Sequence, residues 1–268
     1  MATHSLPNRP EEEDGGKMSF FEHLAELRVR LIHACGAIVL GTFIGVSVSK
    51  HFLEFVAAPM VKALRAANLQ DKLIFTHPAG YLYQIITLGL YLGIVIASPY
   101  VLYQIWLFVA PGLYRNERKA VAGFVISSVL LFLCGIVFAY YVILPYLLKF
   151  LVNFQTGGPF TPLISIDEYF DLVLNVLLGV GVVFELPVLA FLLSLFGIVT
   201  PRFLWKNFRY AILIITVLAA VITPTPDALT MLVFMAPMIV LYLVSIAVSA
   251  AVVRSKRRRS AAIAGGAA

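Results

Sequence analysis

The sequence predicts an all-α, polytopic membrane protein with six transmembrane helices, and three observations carry that expectation. Only 13% of the 268 residues are charged while 61% are hydrophobic, and the mean hydropathy is +0.94. A soluble domain wets its surface with about 25% charged residues, so much of this chain's outer surface faces something other than water. The apolar residues are gathered into six runs, and the basic residues lie between those runs rather than along an amphipathic face.

The first run covers about 29–49, the second 81–106, the third 121–148 and the fourth 169–196. Each is long enough for the roughly 20 helical residues that cross a hydrocarbon core of about 30 Å. The fifth, 207–223, is short and is followed by TPTPD, where Pro224 and Pro226 prevent an unbroken helix. The sixth, 228–252, therefore pairs with the fifth as a tight hairpin, and a short apolar length would thin the bilayer locally or seat these helices lower than their neighbours. Before the first run, PNRPEEEDGGK reads as a disordered lead. The run itself is too long for a cleavable signal. The expected organisation is a lead over 1–19, a transmembrane domain over 20–253 and a basic, disordered tail over 254–268.

The basic residues orient the bundle. With the N-terminus inside, only Lys50, Lys62, Arg65, Lys72 and Lys149 of the 20 lie outside, which predicts N-in and C-in. Nucleic acid is excluded as a partner on the same ground, despite a formal charge of +6. The outer segment 50–80 contains HFLEFVAAPMVKAL, read as a short surface element broken at Pro59. The outer segment 149–168 reads as an irregular loop packed on the bundle. Pro99, Pro111, Pro145, Pro187 and Pro237 lie in or beside helices, and together they predict curved helices around a concave shape. Cys35 and Cys134 sit in apolar runs and form no disulfide framework. No histidine has a metal-ligand neighbour, so neither metal nor cofactor is expected.

Ionisable residues within the bilayer are costly and default to function. Glu185, in GVGVVFELPV ahead of Pro187, is the outstanding case: a proton relay or ligand contact on one reading, a packing hydrogen bond on the other. Gln104 is a weaker case of the same kind. Near the inner boundary, Glu22 and Glu26 share a helix face, and Glu117 lies in the basic loop PGLYRNERK. These acids form either a patch for a cationic ligand, for which an arginine fork is well suited, or surface ion pairs with Arg28, Arg115 and Arg118 of little energetic value. Asp227, ahead of the sixth run, reads as a helix N-cap. No nucleophile triad or phosphate-binding loop is present, so an enzyme is not expected.

Several of these segments resemble one family. HLAELRVRL at 23–31, APM at 58–60, SPYVLYQIWLFVAPGLYRNERK at 98–119, FAYYVILP at 138–145, FELPV at 184–188 and TPTPD at 223–227 are similar to TatC, the multi-spanning component of the twin-arginine protein translocase. The resemblance runs from about residue 20 to 250. It implies six helices in a glove-like shape in the cell inner membrane, N-in and C-in. It implies a receptor for the paired-arginine signal peptides of folded proteins, working with TatA- and TatB-type single-span subunits and other copies of itself, and driven by the proton-motive force.

The resemblance assigns Glu26 and Glu117 as acceptors of the signal arginines, Arg28 as a residue orienting that surface, and Phe108 and Pro99 as functionally sensitive positions. It further places Pro59 at a family proline of the first outer loop, Glu185 at an acid facing the concave side, and Asp227 at an outer-hairpin acid. The RSKRRR tail exceeds the family pattern and is expected to meet anionic lipid. The competing expectation is a proton-coupled secondary transporter of small solutes using Glu185, although the sequence carries no internal repeat.

Overall fold

The computed structural model describes residues 20–70, 72–109, 118–156, 163–223 and 227–265, all of it helical apart from short connections. In chain order the helices are α1 (Phe20–Ala66), α2 (Gly80–Val109), α3 (Arg118–Phe138), a π-helical turn (Ala139–Ile143), α4 (Leu144–Thr156), α5 (Ile166–Val183), α6 (Leu186–Leu195), α7 (Pro201–Lys206), α8 (Phe208–Ile222) and α9 (Ala228–Gly265). Among the described residues five helical stretches are long and apolar enough to cross a membrane: Phe21–Ala66, Gly80–Val109, Gly123–Phe154, Ile166–Leu195 and Ala228–Lys256. The sixth apolar helix, Phe208–Ile222, is shorter. The outer surface of the bundle carries large apolar side chains such as Leu40, Phe43 and Val221, each more than 60% exposed. In water such a surface would aggregate, and in a bilayer it is solvated by acyl chains.

Helix α1 differs most from the sequence reading. Segment 50–66 is no separate surface element broken at Pro59, because the helix passes through the proline without interruption and buries Val56, Met60 and Leu64 in the core. A mid-helix proline lacks the N–H that would satisfy the carbonyl four residues earlier, here that of Phe55. The Tyr140 hydroxyl supplies the missing donor at 2.6 Å. One residue on, the buried Tyr169 hydroxyl donates to the Val56 carbonyl at 2.7 Å. Pro99 in α2 is accommodated by a local version of the same device, since the Ser98 hydroxyl donates to the Val95 carbonyl at 2.7 Å. Pro145 follows the π-helical turn, a wider winding that absorbs the mismatch between α3 and α4.

Helices α1 and α2 pack against each other along most of their length in one antiparallel register. Glycines set their separation. A Cβ added to Gly45 would lie 2.1 Å from the Gly89 carbonyl oxygen, and one added to Gly41 would lie 2.5 Å from the Gly93 carbonyl oxygen. Each helix thus presents two glycines four residues apart to its neighbour. Within a membrane, where lipid is as apolar as leucine, this close approach supplies the dispersion contact that holds helices together. Gly135 of α3 and Gly181 of α5 repeat it at a second crossing.

At the far end of this helix pair, Ile74 and Ser165 form a single parallel bridge. The Ile74 N–H donates to Ile164 and the Ile166 N–H donates to Ile74, at 3.1 and 2.9 Å. The segments before α2 and before α5 are therefore tied to each other. Helix α4 reaches Thr156, well into the stretch expected to be irregular, and α9 continues through the basic run to Gly265.

Candidate functional site

The α1–α2 register that sets Gly41 on Gly93 also sets Arg30 beside Gln104, eleven residues further along each helix, and brings His23 onto Phe108 beyond that. Glu26 and Arg30 are one helical turn apart on α1 and meet on the face turned to α2. Arg30 donates from Nε to Glu26 Oε1 at 2.8 Å, and from Nη2 to the same oxygen. Its Nη1 reaches across to Gln104 Oε1 at 3.3 Å. The other carboxylate oxygen, Glu26 Oε2, is buried without a hydrogen-bond partner among the described residues, and His23 Nδ1 stands 4.0 Å from it. The His23 ring lies flat on Phe108, with centroids 4.3 Å apart and planes 10° from parallel. An open cavity of about 580 Å³ adjoins the group, lined by Glu26, Arg30, His33, Tyr103 and Gln104 among others.

This arrangement redistributes the residues singled out from sequence. Glu26 and Phe108 share a site, and Gln104 joins them rather than the intramembrane acid with which it was grouped. Arg28 is exposed on another face of α1 and makes no ion pair among the described residues. The cation at Glu26 is Arg30 rather than Arg28, and neither Arg30 nor His23 is among the residues singled out from sequence. Their signal was present in the i,i+4 spacing of Glu26 to Arg30 and the i,i+3 spacing of His23 to Glu26. Glu117 lies outside the described residues, as does Pro111.

Glu185 forms a second polar point. Helix α5 ends at Val183 and α6 begins at Leu186, so Phe184 and Glu185 form a turn between two halves of one span. Pro187 at the start of α6 explains the break: it has no N–H for the Val183 carbonyl, and a proline is well placed in the first turn of a new helix. Both Glu185 carboxyl oxygens are buried and without a hydrogen-bond partner among the described residues. The Ser128 hydroxyl lies beside the carboxyl without meeting hydrogen-bond geometry. That hydroxyl accepts from Trp106 Nε1 at 2.7 Å. Trp106 is two residues from Gln104, so this short stretch of α2 serves both polar points.

At the start of α9, Asp227 Oδ2 accepts from the Thr230 N–H at 2.7 Å, the geometry of an N-cap. Pro59 and Pro99 both lie within continuous helices, their neighbouring carbonyls answered as described above. Cys35 and Cys134 are free thiols on the outer surface.

Fold and site together define a polytopic, all-helical membrane protein with a half-buried, arginine-holding carboxylate at one end of its closest helix pair. The model of the Sec-independent protein translocase protein (TatC) family matches residues 22–261, and the chain belongs to that family. It is 47% identical to the Sec-independent protein translocase protein TatC of Koribacter versatilis (strain Ellin345) over 242 residues, 90% of this chain and 88% of the relative. The TatCy protein of Bacillus subtilis (strain 168) is 36% identical over 249 residues, 92% of this chain and 94% of the relative. Two crystal structures of a twin-arginine translocase receptor, TatC, one of them in DDM, superpose with TM-scores of 0.73 and 0.76. Both are 35% identical in sequence and cover 85% of this chain, and 98% and 99% of theirs. The transporter reading built on Glu185 finds no support among these relatives.

Proposed function

We propose that this chain is the receptor subunit of a twin-arginine translocase in the cell inner membrane. It binds the paired-arginine signal peptides of folded proteins and works with TatA- and TatB-type partners and further copies of itself. The observation that carries the reading is the Glu26 site, where a carboxylate at the helix–helix mouth already engages a guanidinium and keeps one oxygen without a hydrogen-bond partner among the described residues. Glu117, in the loop after α2, is the second acceptor in this reading, and Phe108 with His23 provides a stacked aromatic floor beneath the arginines. The apolar part of the signal then lies on the exposed hydrophobic surface of the bundle, where lipid is its only competitor.

In this reading the chain crosses the bilayer six times with both termini inside, α8 providing the fifth crossing. At 1.5 Å per residue its 15 residues span only about 22 Å, short of a hydrocarbon core of about 30 Å. The bilayer is therefore thinned beside α8 and α9. Glu185 offers a polar contact within the span for a partner helix, and the basic end of α9 meets anionic lipid.

The test is crosslinking of a twin-arginine signal peptide to the full chain in lipid, with wild type beside Glu26→Ala and Glu117→Ala. Arginine-dependent crosslinking that is lost in both variants is the expected result. Crosslinking indifferent to the peptide's arginines and to both acids refutes the assignment.

A further inference from the structure

We infer that Arg30 is a built-in competitor for the incoming arginine: it occupies Glu26 between binding events and sets the affinity threshold that a signal must exceed. The inference rests on the reading of Glu26 as a signal acceptor, and it adds a residue and a role to that reading. Three features of the site lead to it.

The first is which oxygen is used. An arginine fork matches a carboxylate best when two N–H groups meet two oxygens. Arg30 places Nε and Nη2 both on Oε1, and Oε2 has no hydrogen bond among the described residues. Its tether explains this, since a guanidinium one turn away on the same helix approaches the carboxylate from the side. A guanidinium from a separate peptide has no such restriction and can take both oxygens, but only if Arg30 gives up Oε1.

The second is that Arg30 has somewhere to go. Its Nη1 is bonded to Gln104 on the neighbouring helix, and the cavity beside the pair is lined by His33 and Tyr103 as well. A displaced Arg30 keeps its contact with Gln104 while the ligand takes Glu26. The third is burial. The Glu26 and Arg30 side chains are only 18% and 23% exposed, so a bare carboxylate there is costly. Exchanging one guanidinium for another keeps the carboxylate paired throughout. The resident pair is thus what makes a half-buried acceptor tolerable before a signal arrives, and it is also what the signal must outbid.

A competitor that must leave lowers the apparent affinity of every ligand requiring Oε1 by the same factor, whatever the ligand's intrinsic affinity. Arg30→Gln removes the competing charge while retaining a side chain able to hydrogen-bond Gln104. Binding is measured on the full chain in nanodiscs with two fluorescent peptides of identical apolar stretch, one carrying an arginine pair and one a lysine pair. The arginine peptide is expected to bind Arg30→Gln about five- to tenfold more tightly than wild type, the range for losing one half-buried, charge-assisted contact. The lysine peptide, whose single ammonium can take Oε2 without displacing Arg30, gains less. In a Glu26→Ala background the same substitution has no effect, because the competitor acts only through Glu26.

Arg30→Lys keeps the charge but not the fork, and its affinities fall between wild type and Arg30→Gln. It also decides the matter should Arg30→Gln fail to fold. Weaker or unchanged binding by Arg30→Gln, or a lysine variant indistinguishable from wild type, overturns the inference and leaves Arg30 as a residue that merely orients Glu26. Failure of the underlying reading looks different: Glu26→Ala alone then leaves the affinity of the arginine peptide intact, whatever Arg30 does.

Discussion

Substituting Gly45 with alanine tests whether glycine contact sets the spacing of α1 and α2. The added Cβ would sit 2.1 Å from the Gly89 carbonyl oxygen and 2.8 Å from the Gly93 nitrogen, whereas ordinary contact begins at 3.4 Å. The two backbones must therefore part locally by about 1.3 Å, the shortfall in the closer contact. Neither obstructing atom belongs to a side chain that could rotate away. Overpacking of this kind costs about 1–3 kcal/mol, against at most about 1 kcal/mol gained from alanine's higher helix propensity. The net expectation is a loss of up to about 2 kcal/mol.

Gly36, nine residues earlier on the same helix, has nothing within 4 Å of a built Cβ. Gly36→Ala is therefore neutral or stabilising by up to about 1 kcal/mol. The assay is thermal inactivation of the purified proteins in one detergent. It is followed as the half-life of the monodisperse fraction at a fixed temperature, since unfolding of such proteins is commonly irreversible. Gly45→Ala should shorten that half-life and Gly36→Ala should not. Equal behaviour of the two variants, or a stabilised Gly45→Ala, refutes glycine contact as the determinant of this interface.

Two further outcomes follow from single contacts. Asp227→Ala removes the acceptor for the Thr230 N–H and should cost about 1 kcal/mol of stability. Asp227→Asn, which can cap equally well, restores it in the same inactivation assay. Glu185→Gln keeps the shape of a side chain whose oxygens have no hydrogen-bond partner among the described residues, and it removes any charge to be desolvated. It should equal or exceed wild type in thermal half-life and leave arginine-peptide binding unchanged. A large loss of either would show that the carboxyl is itself a structural or ligand-binding group.

Much of the architecture was legible because the bilayer leaves few choices. Backbone polar groups in hydrocarbon must be satisfied within the segment, so long apolar runs can only be helices, and composition alone reveals them. The TPTPD break and the Asp227 cap were readable for a related reason, since proline and N-cap chemistry act over a single turn. Pro59 shows where local reasoning stops. Proline removes a donor, and from sequence that reads as an interruption. The donor that replaces it is the hydroxyl of Tyr140, 85 residues along the chain from the Phe55 carbonyl it answers, so no window around Pro59 contains the answer.

The functional acids divide along the same line. Sequence located Glu26 and Glu185 as expensive carboxylates near or within the bilayer, because the cost of a charge depends on its surroundings of a few turns. It did not decide their partners. That Gln104 accepts from the Arg30 that holds Glu26, and Trp106 reaches Ser128 beside Glu185, follows from the depth at which α2 passes α1 and α3. The glycine contacts set that register between α1 and α2, and register is a property of two segments together. The sequence by itself thus determined the helical membrane class and the inventory of costly groups. Only the tertiary structure decided which of those groups meet, because partner choice depends on helix crossings that no single segment encodes.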